Sequence, residues 1–266
     1  MTSRNGPVGC ALVREPGPRL AEGLVTHIDR VPVDVGLARL QWLAYVEAMA
    51  DAGWDVIEVP PADECPDAVF VEDALVMFGS RAVITRPGAD SRKAETIGVE
   101  PLVRDLGFPI ARIHAPATLD GGDVLKVGDT VYVGRGGRTN ADGIRELRRI
   151  VEPLGKTVVA VPLDRVLHLK SAVTALPDGT IIGFPPLVDE SSVFPMFRAV
   201  PEESGAHVVI LDDDTLLIAT SCPKSAELFR ELGYRTVAVD ISEYEKLEGC
   251  VTCLSVRIRP HRTASP

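Results

Sequence analysis

The chain has 266 residues, of which 45% are hydrophobic and 25% charged, and a formal net charge of −10. This is ordinary globular composition, with enough apolar residues for a buried core and too many for general disorder. Nucleic acids and anionic membranes reward clustered Lys and Arg, and the sequence has no basic run, so both are excluded as partners while a small cationic molecule suits the charge.

No stretch approaches the roughly 20 apolar residues of a membrane helix, and the N-terminus lacks a basic-then-apolar leader pattern, so a cytoplasmic location is expected. Thiols stay reduced there. The five cysteines at 10, 65, 222, 250 and 253 therefore read as free thiols and not as a disulfide framework. Cys250-Val-Thr-Cys253 has the spacing of a zinc or redox pair, but no second such pair and no nearby His accompanies it.

In chain order, residues 1–7 are short and polar and predict a frayed end, as do 260–266, which leaves an ordered core of about 8–259 within a single domain over 1–266. A strand is predicted over 8–13 and a helix over 35–52, with Asp34 as its cap and Leu37, Leu40 and Ala44 on its apolar face. Four hairpin-like segments follow at 68–85, 122–134, 171–183 and 208–220, each with two β-rich runs around a Gly, Asp or Ser turn. Between them, 141–154 places Ile144, Leu147, Ile150, Val151 and Leu154 on one helical face, capped by Asn140 and stopped by Gly155. A further helix over 223–232 starts at Pro223, buries Leu228, Phe229 and Leu232, and ends at Gly233.

Aligning the hairpin turns on Ala82, Thr130, Thr180 and Thr215 gives separations of 48, 50 and 35 residues, a loose internal repeat. The repeating unit is strand, strand, helix, strand. Pairing of 8–13 with a last strand over 251–258 completes a fifth unit and removes an open sheet edge.

Four places put reactive groups at strand ends or turns, where sites gather. Asp67, Glu72 and Asp73 bracket the apolar run 68–71; if that run is a strand, Asp67 and Asp73 share a face and Glu72 has the other. Asp120-Gly-Gly-Asp123 puts two acids around glycines, which either make a plain turn or let a carboxylate be aimed inward. His168 lies in an apolar strand-like run, and a glycine at 249 leads into a last strand carrying Cys250 and Cys253. Each alone reads as packing or turn chemistry. Cysteine, histidine and a carboxylate are nonetheless the parts of a nucleophile, a proton carrier and an orienting acid, although spacing does not show that they meet.

Six segments occur in order that together resemble one family. They are Asp67-Ala-Val-Phe-Val-Glu-Asp73, Ile84-Thr-Arg-Pro-Gly-Ala89 with Ser91-Arg92, Ala117-Thr-Leu-Asp-Gly-Gly-Asp-Val124, Arg138-Thr-Asn140, His168-Leu-Lys-Ser171 and Thr252-Cys253. From about residue 8 to 259 the chain resembles the dimethylarginine dimethylaminohydrolases of the guanidine-modifying, or pentein, superfamily. The resemblance implies an α/β fold, a propeller of five ββαβ modules with pseudo-fivefold symmetry and the site in its central channel. It implies hydrolysis of asymmetric dimethylarginine or monomethylarginine to citrulline and the methylated amine, through a covalent cysteine intermediate.

By motif, Cys253 would be the nucleophile, His168 the general acid and base, and Asp120 the acid that orients His168. Asp67 would hold the guanidinium with Glu72 and Asp73 nearby, and Arg92 and Arg138 would grip the α-carboxylate. Leu24, in a Pro- and Gly-containing lid over 16–25, would close over the α-amino end with the backbone of Leu247 and Glu248. No metal or cofactor is implied. Some relatives carry Glu where Asp120 stands, so the orienting contact depends on a close approach to His168. Cys250, on the opposite strand face by parity, is expected to be structural. A homodimer is plausible for such a ring. Rival readings are an arginine deiminase, an amidinotransferase, and a binding protein whose thiol is inert.

Overall fold

The computed structural model describes residues 8–259, so the frayed ends expected at 1–7 and 260–266 lie outside the described residues. The described residues form five three-stranded sheets, each with a central strand paired antiparallel on one side and parallel on the other. In the first, β1 (Gly9–Val13) runs parallel to β2 (Trp54–Glu58). The next three are β3 (Leu75–Phe78), β4 (Arg81–Ile84) and β5 (Ile110–Arg112), then β6 (Val124–Val127), β7 (Thr130–Arg135) and β8 (Thr157–Pro162), then β9 (Val173–Ala175), β10 (Ile181–Gly183) and β11 (Phe197–Ala199). The fifth holds β12 (Val209–Ile210), β13 (Thr215–Ala219) and β14 (Arg235–Val239), and β15 (Val256–Ile258) returns to pair antiparallel with β1, Cys10 opposite Ile258. The turn positions aligned by sequence thus fall at the start of the central strands β4, β7, β10 and β13, and the first and last described strands do pair.

A parallel neighbour requires a crossover, and helices supply it in four sheets. These are α1 (Val35–Asp51), α2 (Val99–Asp105), α3 (Ala141–Val151) and, in the fifth sheet, the helix over Pro223–Glu231. The fourth sheet crosses instead through two 3₁₀ turns, Pro185–Leu187 and Ser191–Val193. That last crossover helix is α5; two single-turn helices complete the set, α4 (Leu169–Ala172) just ahead of β9 and α6 (Ser242–Glu245) after β14. Caps follow the local chemistry. The Asp34 carboxylate accepts the Leu37 N–H, Asn140 accepts the Gly143 N–H, and Gly155 adopts φ 74° after α3.

The central strands read as continuous apolar runs because both faces are buried. Along β13, Leu216 and Ile218 pack against the fourth sheet while Leu217 and Ala219 pack against the first. The same alternation sends Leu12 of β1 toward the second sheet and Ala11 and Val13 toward the fifth. Two further clusters join sheets two to three and three to four. Every cluster is therefore shared by consecutive sheets, and the fifth sheet shares its own with the first.

Three local expectations are overturned. Helix α1 buries Ala38, Gln41, Trp42, Tyr45 and Met49, while Leu37 and Leu40 stay exposed at 38% and 63% and Ala44 is exposed as well. Two polar tips of the buried face find partners, Tyr45 Oη 2.7 Å from Ser255 Oγ and Gln41 Nε2 donating to Ser242 Oγ at 2.8 Å, while Trp42 Nε1 on the same face has none. Leu154 and Leu232 likewise end exposed, beyond the last turns of α3 and α5. Finally, residues 66–74, 164–168 and 251–255 are turns, bends and 3₁₀ segments and not strands, so parity arguments made across them do not hold.

Candidate active site

The segments carrying the reactive side chains share one place in the fold: each leads into the antiparallel outer strand of its sheet. Asp67 and Asp73 precede β3, Asp120 precedes β6, His168 caps α4 just ahead of β9, and Cys253 lies in the turn before β15. Because successive sheets present this position to a common centre, the groups converge on one cavity. Of the residues singled out by sequence, Leu24, Asp67, Asp73, Arg92, Arg138, His168, Leu247, Glu248 and Cys253 line it. Phe70, Leu167 and Gly249 line it too and carried no chemical signal in the sequence. Asp120 sits behind His168, fully buried.

His168 Nε2 lies 2.9 Å from Asp120 Oδ2 and 3.8 Å from Asp73 Oδ1. The other Asp120 oxygen accepts the Gly88 N–H at 2.7 Å, and its own N–H donates to Thr139 Oγ1 at 3.1 Å. A carboxylate this short reaches because Gly121 lets the backbone pass the Glu72 carbonyl, which a Cβ there would approach to 1.9 Å. Burial by itself would lower the His168 pKa. Asp73, Asp120 and Asp123 more than offset it and raise the value to about 9, so the ring is held as the imidazolium.

Arg92, itself buried, spends its guanidinium within the protein. Its Nη1 donates to Asp73 Oδ2 at 2.6 Å, and Nε and Nη2 donate to the Glu95 carboxylate at 2.9 and 2.8 Å. Arg138 differs: its Nη1 is buried without a hydrogen bond, 3.5 Å from Asp120 Oδ2. Glu72 does not line the cavity. Its carboxylate is held by Lys170 Nζ at 2.6 Å and Arg257 Nη2 at 3.1 Å, and its backbone N–H donates to the Cys253 carbonyl. Burial raises the Asp67 pKa despite Arg92 and the Leu24 N–H, while His168 and Arg92 overcome burial to keep Asp73 ionised. Atoms of Asp73, Asp120 and His168 lie within 4.8 Å of one another, close enough for three metal ligands. Each already has a partner among Arg92, Gly122 and Gly88 or within the cluster itself.

Cys253 and Cys250 are close neighbours. The turn Cys250–Cys253, closed by the Cys253 N–H to the Cys250 carbonyl at 3.0 Å, brings their sulfurs to 3.2 Å. The expectation that strand parity separates them fails because no strand runs there. The hydrogen bond with Cys250, then burial, then the carboxylates of Glu72 and Asp73 hold the Cys253 thiol above its ordinary pKa. A sulfur that shares a proton with its neighbour gives up the first proton of the pair more readily than the second.

The lid is drawn down over this centre. The Leu24 N–H donates to both Asp67 oxygens at 3.0 and 3.2 Å, and the Glu248 carboxylate accepts the N–H groups of Thr26 and His27 at 2.5 and 3.0 Å. Glu248 does so from φ 59°, a left-handed conformation rare for a side chain of its kind. Beneath the lid the cavity measures about 10 Å³, on the order of the space one water needs. A larger cavity of about 480 Å³ adjoins it across Leu167, Glu248 and Gly249 and presents Glu203 and Glu245.

Among the described residues no helix is long and apolar enough to cross a membrane. The family model for arginine deiminase matches residues 57–222. An N(G),N(G)-dimethylarginine dimethylaminohydrolase of Streptomyces coelicolor is 66% identical over 94% of this chain and 96% of its own. The enzyme of that name from Pseudomonas aeruginosa is 36% identical over 92% of this chain and 98% of its own. A solved Pseudomonas aeruginosa structure of that kind, a cysteine-to-serine mutant complexed with citrulline, superposes with TM-score 0.88 and 33% identity over 95% of this chain and all of the other. With a cysteine, a histidine and paired carboxylates around one cavity in an α/β chain of this ancestry, the protein belongs to the dimethylarginine dimethylaminohydrolase family.

Proposed function

We propose that the protein hydrolyses Nω-methylated arginine, as asymmetric dimethylarginine or monomethylarginine, to citrulline and the methylated amine. The meeting of Cys253 and His168 in a cavity walled by Asp67 and Asp73 carries this reading. A guanidinium is a delocalised cation and a poor electrophile, so carboxylates must bind it and a thiolate must attack its central carbon. Relatives that share 66% and 36% identity with the chain bear the name of this activity.

In this reading Asp67 and Asp73 hold the guanidinium and Arg138 takes the substrate α-carboxylate with its unsatisfied Nη1, while Arg92 keeps Asp73 in place. Leu24, Leu247 and Glu248 enclose the α-amino end, and Glu72 supports the floor through Lys170 and Arg257. The bound cation lowers the Cys253 pKa, and the thiol proton leaves to solvent as the substrate binds, so a thiolate is present when it is needed. Its sulfur bonds to the guanidinium carbon, His168 passes its proton to the methylated nitrogen, and that C–N bond breaks. Neutral His168 then takes a proton from water, the hydroxide adds to the same carbon, and the C–S bond breaks to release citrulline.

The acidic cavity beside Glu248 gives a cationic amino acid a favourable approach once the lid lifts. The five sheets, with their cores shared in cyclic order, are read as modules of one propeller with pseudo-fivefold symmetry. A cytoplasmic setting belongs to the same reading, since Cys253 must stay reduced to act. The test is citrulline release from dimethylated, monomethylated and unmodified arginine, alongside amidino transfer to glycine. Cys253→Ser is expected to abolish release, and release undiminished in that variant would overturn the mechanism. Faster turnover of unmodified arginine would favour a deiminase, and amidino transfer to glycine an amidinotransferase.

A further inference from the structure

We propose that Cys250 is a resolving cysteine: after a hydroperoxide oxidises the Cys253 sulfur, Cys250 closes a disulfide with it, a reversible modification inside the active site. The placement of the two thiols carries the inference. Their sulfurs lie 3.2 Å apart at opposite ends of one hydrogen-bonded turn, so S–S bond formation needs only a small shortening of a contact already made. The two are not equivalent. Cys253 lines the substrate cavity, whereas Cys250 is enclosed behind it, with Thr252 Oγ1 at 3.2 Å from its sulfur. A hydroperoxide is smaller than an amino acid and reaches the nucleophile by the same opening, which exposes Cys253 first.

The chemistry balances with hydrogen peroxide as the named oxidant. Cys253 passes its proton to the Cys250 sulfur 3.2 Å away and attacks one peroxide oxygen; an S–O bond forms, the O–O bond breaks, and the departing hydroxide takes a proton and leaves as water. Sulfur is oxidised to sulfenic acid and the peroxide is reduced. The Cys250 thiolate then attacks the sulfenic sulfur; the S–S bond forms, the S–O bond breaks, and a second water leaves. Two thiols and one peroxide become one disulfide and two waters. Without a neighbour in reach, the sulfenic acid would continue to the irreversible sulfinic acid.

That the disulfide silences turnover rests on Cys253 being the nucleophile; that it forms does not. The full chain is treated with hydrogen peroxide, excess peroxide is removed, and intact mass, peptide map and citrulline release are read before and after dithiothreitol. The expected result is a loss of about 2 Da, a Cys250–Cys253 linked peptide, and activity that falls at least about tenfold and returns on reduction. Cys250→Ser should instead gain about 32 Da on the Cys253 peptide and stay inactive after reduction, relative to its own starting rate. Cys253→Ser should form no linked peptide. Sulfinic acid at Cys253 in the unmodified sequence with no link, or full recovery of oxidised Cys250→Ser, overturns the proposal. A linked protein that still turns over upholds the disulfide and overturns Cys253 as nucleophile.

Discussion

The imidazole of His168 meets the carboxylate of Asp120 at 2.9 Å across 48 residues of chain, and two consecutive glycines make the contact possible. A Cβ on Gly122 would stand 2.9 Å from the His168 ring and 2.7 Å from Asp73 Oδ1. Gly122→Ala is therefore expected to displace the ring from its acid without unfolding the protein. Steady-state kinetics should show kcat/KM reduced about 100-fold or more, since a misplacement of about 1 Å has that cost, while circular dichroism stays unchanged. Retention of normal kinetics would mean that the ring has another seat.

The charge on His168 also couples stability to pH. Its folded pKa is raised to about 9, above the roughly 6.5 of an unfolded histidine, so its stabilisation is complete below pH 6.5 and is lost as pH rises through 9. Denaturant unfolding should show the stability gap between the native sequence and His168→Ala narrowing by up to about 3 kcal/mol over that window. A gap that stays constant from pH 6.5 to 9 would contradict the ion cluster.

Glu248 holds the lid through two backbone N–H groups. Charged acceptors make the stronger hydrogen bonds, so Glu248→Gln should loosen the lid and raise KM about tenfold, with a smaller change in kcat. Limited proteolysis within residues 24–31 should speed up in parallel. If cleavage there is unaltered, the lid is held by something else.

Arg14, fully buried at 1% exposure, donates to the carbonyls of Pro60, Ala68 and Glu95. It ties β1 to the segments that carry Asp67 and Arg92, a role that no motif in the sequence announced. Arg14→Met leaves three carbonyls without their donor and should cost about 3 kcal/mol in denaturant unfolding. A loss under about 1 kcal/mol would show that water replaces the guanidinium.

The modular order was legible because strands buried on both faces leave unmistakable apolar runs, and the Ala82, Thr130, Thr180 and Thr215 turns recur once in each of four sheets. Side-chain direction was less legible. Helix α1 is apolar nearly all round, so periodicity could not choose between the Leu37–Leu40 face and the Trp42–Tyr45 face; the buried face is the one whose Tyr45 and Gln41 hydrogen-bond to residues some 200 positions away. The segments around Asp73, His168 and Cys253 have strand-like composition yet form turns, because each must aim a polar group across a centre instead of along a sheet. Strand parity consequently misplaced Cys250, and the link from Asp120 to His168 became visible only once two modules stood side by side. Glu72 shared its motif with Asp73 but faces Lys170 and Arg257, a choice made by the 3₁₀ turn over Val71–Ala74.

The pairing of β1 with β15 has a consequence during synthesis. A nascent chain presents β1 first and must leave its antiparallel edge unmatched until Val256–Ile258 leaves the ribosome, so the strand made earliest waits for the one made last. Asp73, Asp120 and His168 are all synthesised before that moment, whereas Cys253 emerges only just ahead of the closing strand. A chain cut short before residue 253 therefore carries Asp73, Asp120 and His168 without the Cys253 sulfur.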